Sequence, residues 1–350
     1  MRSFIKSIFG HSNTPKQLQI LPQGVTLTVE SGQTLLQAAL AHGFPYPHDC
    51  TVGTCATCKV RLKQGRVREA TPFGYTLSKE ELDAGYILSC QAFPRDDLTV
   101  VELETPSEEL PPTEMYSGSI VGVEPLTHDI LKVVVRTDRP VNYVAGQYAN
   151  LLFPGLDRAR SYSFAAAPQR GGRTTLTFFI RKVPGGAFTE ALFSGQLEGQ
   201  AFEIQAPLGS FFLREGNGPI VCIAGGSGLA PLLSVLEHAR NRRIRRKCTL
   251  LFGARTQTDL YQLDTLRSLA ANWVEAFEFV PVLSHEPADS GWQGARGLVT
   301  DYITADMAVG AQAYLCGPPA MVDSAITKLS QHGVPIEDIY YDKFTDSRDK

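Results

Sequence analysis

The sequence predicts three successive folding units: a small α+β unit, an antiparallel β-barrel and a doubly wound α/β unit with a parallel sheet. Three observations carry that expectation. Three cysteines crowd into one loop, Cys50-x4-Cys55-x2-Cys58, and a fourth, Cys90, returns much later. From residue 114 to about 215, short strand-like segments are separated by Gly, Pro, Asn and Asp. Beyond Pro219 the pattern becomes apolar strand, glycine turn and helix, repeated. The 350 residues, 43% hydrophobic and 20% charged, also call for more than one domain. A formal net charge of −3 gives no general attraction to nucleic acid or to an anionic membrane. No apolar run reaches the roughly 18–20 residues of a membrane-spanning helix, so a soluble, cytoplasmic protein is expected.

Residues 1–16 read as an N-terminal extension. Phe4, Ile5, Ile8 and Phe9 fall on one helical face, and the segment is too short for a secretory signal. A frayed end or a turn packed on the first domain is the simpler expectation. Contact with a membrane through residues 1–12 is the alternative. The first domain spans 17–103. Leu18–Leu21 and Val25–Val29 alternate like two strands around the Pro22-Gln23-Gly24 turn, and Thr34 to Ala41 makes a short helix ended by Gly43 and Pro45. The cysteine loop follows, then strands at Lys59–Lys63, Tyr86–Ser89 and Leu98–Leu103. This order matches a β-grasp arrangement. Asp49, Glu80, Glu81, Asp83, Asp96 and Asp97 read as a solvated acidic face, with docking of a basic partner as the alternative.

The spacing Cys-x4-Cys-x2-Cys with a distant fourth cysteine is the plant-type pattern for a 2Fe-2S cluster. Three thiolates from one loop require a tight bend with amides turned inward. Gly53, Thr54, Ala56 and Thr57 are small enough for that. A zinc site more often shows two Cys-x2-Cys hooks or paired histidines, and a large cytosolic redox chain keeps its thiols reduced rather than bridged. Cys50, Cys55, Cys58 and Cys90 are therefore the expected metal ligands. Cys222, Cys248 and Cys316 are scattered among apolar residues.

Residues 104–113, with three prolines and three glutamates, read as a linker. The barrel then spans 114–215 and carries two motifs. In Arg160-Ser161-Tyr162-Ser163, the arginine fork suits a pyrophosphate and the tyrosine ring can lie against a flat heteroaromatic system. Val183-Pro-Gly185-Gly186-Ala-Phe-Thr189 opens a short helix, where amides next to glycines suit an anion.

The third domain spans 216–350. Ile220–Ala224 is a continuous apolar run, as for a strand buried on both faces. It enters Gly225-Gly226-Ser227-Gly228 and an apolar helix, the arrangement that cradles phosphates at the carboxyl edge of a parallel sheet. The usual Gly-x-Gly-x-x-Gly fingerprint is absent. Thr249–Gly253, Glu278–Leu283 and Ala313–Cys316 continue the strands, and Cys316-Gly317-Pro318-Pro319 opens another helix. The basic run Arg240–Lys247 falls between a helix end and the next strand, where most of it complements the helix dipole and faces solvent, with docking of a partner as the alternative.

With these motifs in one chain, the protein resembles the ferredoxin–NAD(P)H reductase superfamily from about Gln17 to Phe344. Within it, the resemblance is to the fused reductase components of bacterial multicomponent oxygenases, the xylene monooxygenase type above all. The resemblance implies a β-grasp 2Fe-2S ferredoxin domain, an FAD-binding barrel and an NAD(P)H-binding domain. It places Arg160 on the FAD pyrophosphate, Tyr162 against the isoalloxazine, Ser163 near flavin N5, and Gly185, Gly186 and Thr189 on the phosphates. Gly146-Gln147-Tyr148 would pack beneath the flavin. Gly225, Gly226, Ser227 and Gly228 with Cys316, Gly317 and Pro318 would shape the nicotinamide site, and Phe344 would cover the flavin face. Ser163, Cys316 and Phe344 are thus the expected catalytic residues. Arg255 could reach a 2′-phosphate, but no cluster of Ser, Arg and Lys follows it, so NADH is expected over NADPH. The implied partner is a terminal oxygenase or hydroxylase acting on aromatic or other hydrocarbons. A different acceptor, such as a deoxysugar dehydrase, and a non-enzymatic redox sensor are the alternative readings.

Overall fold

The computed structural model describes residues 14–44, 46–48, 51–53, 56–103, 110–156 and 158–344. Cys50 and Cys55, Asp49, Thr54, most of the expected linker and the N-terminal segment 1–12 lie outside them. The chain divides into two compact units, 1–105 and 106–350.

The first unit contains strands β1 (Lys16–Leu21), β2 (Val25–Val29), β3 (Lys59–Gln64), β4 (Val67–Glu69), β5 (Tyr86–Leu88), β6 (Ala92–Pro94) and β7 (Leu98–Glu102), with helices α1 (Leu35–Ala41) and α2 (Lys79–Asp83). Five strands form one sheet in the order β2-β1-β7-β3-β5, and β4 pairs with β6. Helix α1 starts at a reciprocal cap, Thr34 with Gln37, and buries Leu35, Leu36, Ala38 and Ala39. Helix α2 starts the same way, Ser78 with Glu81, which corrects the reading of Glu81 as part of a solvated acidic face. Glu81 is fully buried, accepts from the Ser78 amide at 2.8 Å and pairs with Lys59 Nζ at 2.7 Å. Its position as the third residue of the helix, where it closes the capping box, turns it inward.

The second unit begins with β8 (Glu114–Pro125), β9 (Ile130–Val141), β10 (Tyr148–Leu152), β11 (Arg160–Ser163) and β12 (Arg173–Arg181), then α3 (Ala187–Phe193) and β13 (Ala201–Leu208). The six strands lie in the order β11-β10-β13-β8-β9-β12. A bridge between Phe164 and Phe178 joins the two edges and closes the barrel, helped by the Ala165 amide donating to Thr177 O at 2.8 Å. Its core is aromatic: Phe153 stacks on Phe202 at 4.1 Å, and Tyr143 on Phe164 at 4.0 Å.

The α/β portion holds β14 (Ile220–Gly225), α4 (Leu229–Asn241), β15 (Cys248–Ala254), α5 (Leu263–Ala271), β16 (Phe277–Leu283), β17 (Ala295–Arg296), α6 (Ala305–Ala308), β18 (Gln312–Gly317), α7 (Pro319–Gln331) and β19 (Ile339–Lys343). The sheet is parallel with the order β17-β16-β15-β14-β18-β19. Strand β14 feeds both faces: Ile220, Cys222 and Ala224 pack with α4 and α5, while Val221 and Ile223 pack with α7. The α4 side is continuous with the barrel through Ile130, Ala145, Ala165, Phe179 and Phe211. Ser234 Oγ also donates to Ala166 O at 2.7 Å across that seam. The basic run is not all solvated. Arg246 is buried and spends its guanidinium on the carbonyls of Gly218, Arg214 and Pro219 and on Gln312.

Candidate functional site

Strand register brings two of the four expected cluster cysteines together. Lys59 of β3 pairs with Leu88 of β5, so the residue before β3, Cys58, faces the chain just before Cys90. The Ser89 amide donates to Cys58 O at 3.2 Å. Both cysteines are buried. Three residues of the loop hold positive φ, Thr51 (55°), Gly53 (86°) and Ala56 (57°), which bends the chain sharply. A Cβ on Gly53 would meet Gln91 Cγ at 2.7 Å, so glycine here, at φ 86°, lets Gln91 pack close. Gln91 Nε2 lies 3.7 Å from Cys90 Sγ and donates to Thr51 O at 3.2 Å, tying the loop to the fourth cysteine. Tyr46 is hydrogen-bonded to Ser89 Oγ beside them. Burial pushes its phenol well above its usual range; the bond to Ser89 opposes this, and the Cys58 and Cys90 thiols add to it. Two buried soft thiols beside a loop bent by positive φ angles fit an iron–sulfur centre. Cys50 and Cys55 lie outside the described residues.

In the barrel, closure sets the two remaining motifs side by side. Strand β11 carries Arg160, Tyr162 and Ser163, and the glycine turn follows directly on β12, its neighbour across the closing bridge. The Tyr162 ring lies 5.7 Å from that of Phe188 in α3. Burial pushes its phenol up. Ser163 is buried opposite Tyr148 in β10. Arg160 contacts the carbonyls of Arg158 and Ala159. Gly185 has φ 73° with open space where a Cβ would stand, and no side chain caps α3. Thr189 stands in the first turn of α3, behind the two glycines. Its buried hydroxyl donates to Val183 O (3.0 Å) and accepts from Val183 N (3.1 Å), so it braces the glycine turn from within. Gln147 is a similar clamp: its Oε1 accepts from Val144 N, its Nε2 donates to Gly209 O, and its carbonyl accepts from Phe164 N.

In the α/β portion, the strand order reverses between β14 and β18, and both strand ends carry glycines. Gly225 allows Met321 and Pro318 to close in, since a Cβ would meet Met321 Sδ at 2.6 Å. Gly317 has φ 150° and packs on the Gly225 backbone. Gly226 to Gly228 form one 3-10 turn that runs into α4. Cys316 is fully buried; burial pushes its thiol well above the usual range and Asp342 adds to that, so it stays neutral. The Phe344 amide donates to Gly317 O at 2.9 Å, which fixes the end of the described chain beside the turn. Tyr340 is spent elsewhere, stacked on Tyr314 at 5.1 Å. Reading motifs missed Tyr261, whose buried hydroxyl donates to Gly226 O at 2.9 Å and holds the glycine turn from below. No motif marks it. Gln91 also escaped notice, although its place next to Cys90 was a signal.

Three family models match successive stretches of the chain. Residues 18–95 match the 2Fe-2S iron-sulfur cluster binding domain family, 118–213 the oxidoreductase FAD-binding domain, and 222–326 the oxidoreductase NAD-binding domain. The chain is 42% identical to the xylene/toluene monooxygenase electron transfer component of Pseudomonas putida, over 98% of each chain. It is 39% identical to the reductase component of phenol 2-monooxygenase from Pseudomonas sp. (strain CF600), over 94% of each. Among solved structures, an Amycolatopsis cytochrome P450 reductase superposes with a TM-score of 0.70 at 34% identity, covering 95% of this chain and 99% of that one. Among the described residues, no helix is long and apolar enough to cross a membrane.

Proposed function

The chain belongs to the iron–sulfur flavoprotein reductase components of bacterial oxygenase systems, within the ferredoxin–NAD(P)H reductase superfamily, and on that premise we propose that it draws electrons from NADH and delivers them to a terminal oxygenase or hydroxylase. It is an oxidoreductase with 2Fe-2S, FAD and NAD-binding domains. When bound, FAD would supply the chemistry that converts a nicotinamide electron pair into single electrons, and a 2Fe-2S centre would supply a one-electron carrier.

The protein's own task is to hold, orient and shield. Cys50, Cys55, Cys58 and Cys90 would hold the cluster, with Gln91 directed at the Cys90 sulfur. Arg160 would meet the FAD diphosphate with the amides of Gly185 and Gly186, while Thr189 and Gln147 keep the two turns in shape. Tyr162 would support the flavin ring, and Ser163, buried at the end of β11, would hold a hydrogen bond at its reactive edge. The glycines that follow β14 and Gly317-Pro318 at the end of β18 would seat the nicotinamide coenzyme, with neutral Cys316 beside it offering bulk rather than charge. Phe344 would exclude water and oxygen from the flavin face. The boundaries that suit these roles are 17–103, 114–215 and 216–350, with a linker at 104–113.

The single observation carrying this reading is the strand register that sets buried Cys58 against Ser89, next to buried Cys90, in a chain that also bears the glycine-lined switch point. Cys58→Ala tests it. Reduction of cytochrome c, which needs the one-electron exit, should be lost, while NADH-dependent ferricyanide reduction largely persists. Equal survival of both activities would exclude the proposed path.

A further inference from the structure

Arg255 is not a bare cation. It stands two residues beyond Gly253 of β15, which pairs with Gly225 of β14, so it borders the glycine turn at the carboxyl edge of the sheet. Its Nη2 lies 3.5 Å from Asp129 Oδ2 and 3.8 Å from Asp259 Oδ1. Asp259 follows β15 in the same segment, but Asp129 comes from the barrel, at the turn between β8 and β9. The same Asp129 oxygen accepts from Arg181 Nε at 2.9 Å, and Arg181 Nη1 in turn lies 3.9 Å from where a Cβ on Gly226 would stand. His128 Nδ1 lies 3.5 Å from Asp259 Oδ1. Both carboxylates are largely covered, 17% and 13% exposed, whereas the Arg255 side chain is 52% exposed.

A dinucleotide seated on the turn after the first strand has its adenosine ribose read just past the second strand. There an acidic residue accepts from a 2′-hydroxyl, whereas an arginine takes a 2′-phosphate. Arg255 alone would suit the phosphate. Bracketed by two carboxylates, it presents little net positive charge, and a phosphate bearing nearly two negative charges must face both acids. A 2′-hydroxyl finds acceptors instead. Rejection by placed like charge is an efficient way to discriminate between two otherwise identical ligands. A cation between His128, Asp129 and Asp259 is a poorer reading, because Arg181 and Arg255 already occupy those carboxylates.

We infer that Asp129, reaching across from the barrel, acts with Asp259 to set coenzyme preference, occupying Arg255 and turning away a 2′-phosphate so that the site takes NADH and rejects NADPH. The inference rests on the proposed function, since it requires a nicotinamide dinucleotide on the glycine turn.

The test uses full-length, cofactor-loaded protein and two readouts: equilibrium dissociation constants for NAD+ and NADP+ by calorimetry, and kcat/KM for ferricyanide reduction with NADH and NADPH. The wild type should bind NAD+ more tightly. Asp129→Asn should shift both ratios toward the phosphorylated coenzyme by about tenfold, the size expected on removing one nearby charge. The shift should vanish in Asp129→Asn combined with Arg255→Gln. Asp259→Asn, which keeps an acceptor for the Thr256 cap, should act in the same direction and serves if Asp129→Asn does not fold. A wild type indifferent to the 2′-phosphate, or ratios unmoved in folded variants, would overturn the inference and leave the proposed function standing. A protein that binds neither coenzyme would overturn both.

Discussion

A Cβ placed on Gly228 would stand 2.1 Å from the carbonyl oxygen of Cys316. The turn leaving β14 and the end of β18 therefore touch backbone to backbone at the point where the strand order reverses. Gly228→Ala must push the two strand ends apart. We expect a stability loss at the upper end of about 1–3 kcal/mol, with coenzyme affinity falling more than flavin content. Calorimetric NAD+ titration and flavin absorbance on the purified variant check this. Unaltered NAD+ affinity would show that the contact does not shape the site.

Tyr261 supports the same turn through one hydrogen bond to Gly226 O. Tyr261→Phe removes the hydroxyl and leaves the ring packed against Phe179 and Phe252. A neutral hydrogen bond contributes about 1 kcal/mol, so KM for NADH should rise about fivefold with little change in kcat. Steady-state ferricyanide reduction reads the split. A loss confined to kcat would assign Tyr261 a different role.

How far these sites could be read from the sequence depends on whether their contacts are local. The cysteine loop was legible because three of the four expected ligands, Cys50, Cys55 and Cys58, stand close together in the sequence. The partnership of Cys58 with Cys90 depends on the Lys59–Leu88 register, which no local pattern states. Arg160, Tyr162 and the Gly185–Gly186 turn were visible as motifs, but their adjacency comes from barrel closure at Phe164 and Phe178. Thr189 was legible as part of its motif, yet only the folded turn shows its hydroxyl spent on Val183. Tyr261, Asp129 and Arg181 act through the seam between barrel and α/β portion, where no sequence spacing could reveal them. Glu81 was misread although Ser78-x-x-Glu81 spells a capping box.

That buried glutamate makes a stability prediction. Lys59→Met removes the ammonium that stands 2.7 Å from the fully buried Glu81 carboxylate. Breaking a buried pair from one side costs about 3–5 kcal/mol. We therefore expect a lower melting temperature and faster loss of the visible iron–sulfur bands on warming. Lys59→Met combined with Glu81→Gln should recover part of the loss. A single variant as stable as the wild type would contradict the pair's role.

Asp129 supplies a pH signature. Burial opposes its ionisation, but the hydrogen bond and charge of Arg181 prevail and hold its carboxyl below the usual range. A depressed folded value means the stabilisation is fully present above the unfolded value of about 3.9 and is lost as pH falls through the folded one. The difference in melting temperature between the wild type and Asp129→Asn should thus be constant near neutrality and shrink as the pH drops below about 4. A difference that stays constant down to acid unfolding would show that Asp129 does not carry this linkage.

On the proposed function, this chain takes electrons in pairs from NADH and passes them singly to sulfur-ligated iron. Anaerobic titration of the purified protein with NADH, followed by electron paramagnetic resonance, tests it most directly. The signal of a reduced 2Fe-2S centre should grow with added NADH in the flavin-loaded wild type and be absent from Cys58→Ala and from flavin-stripped protein. An iron centre that stays oxidised while NADH is consumed, or that is reduced equally well without flavin, would contradict the account.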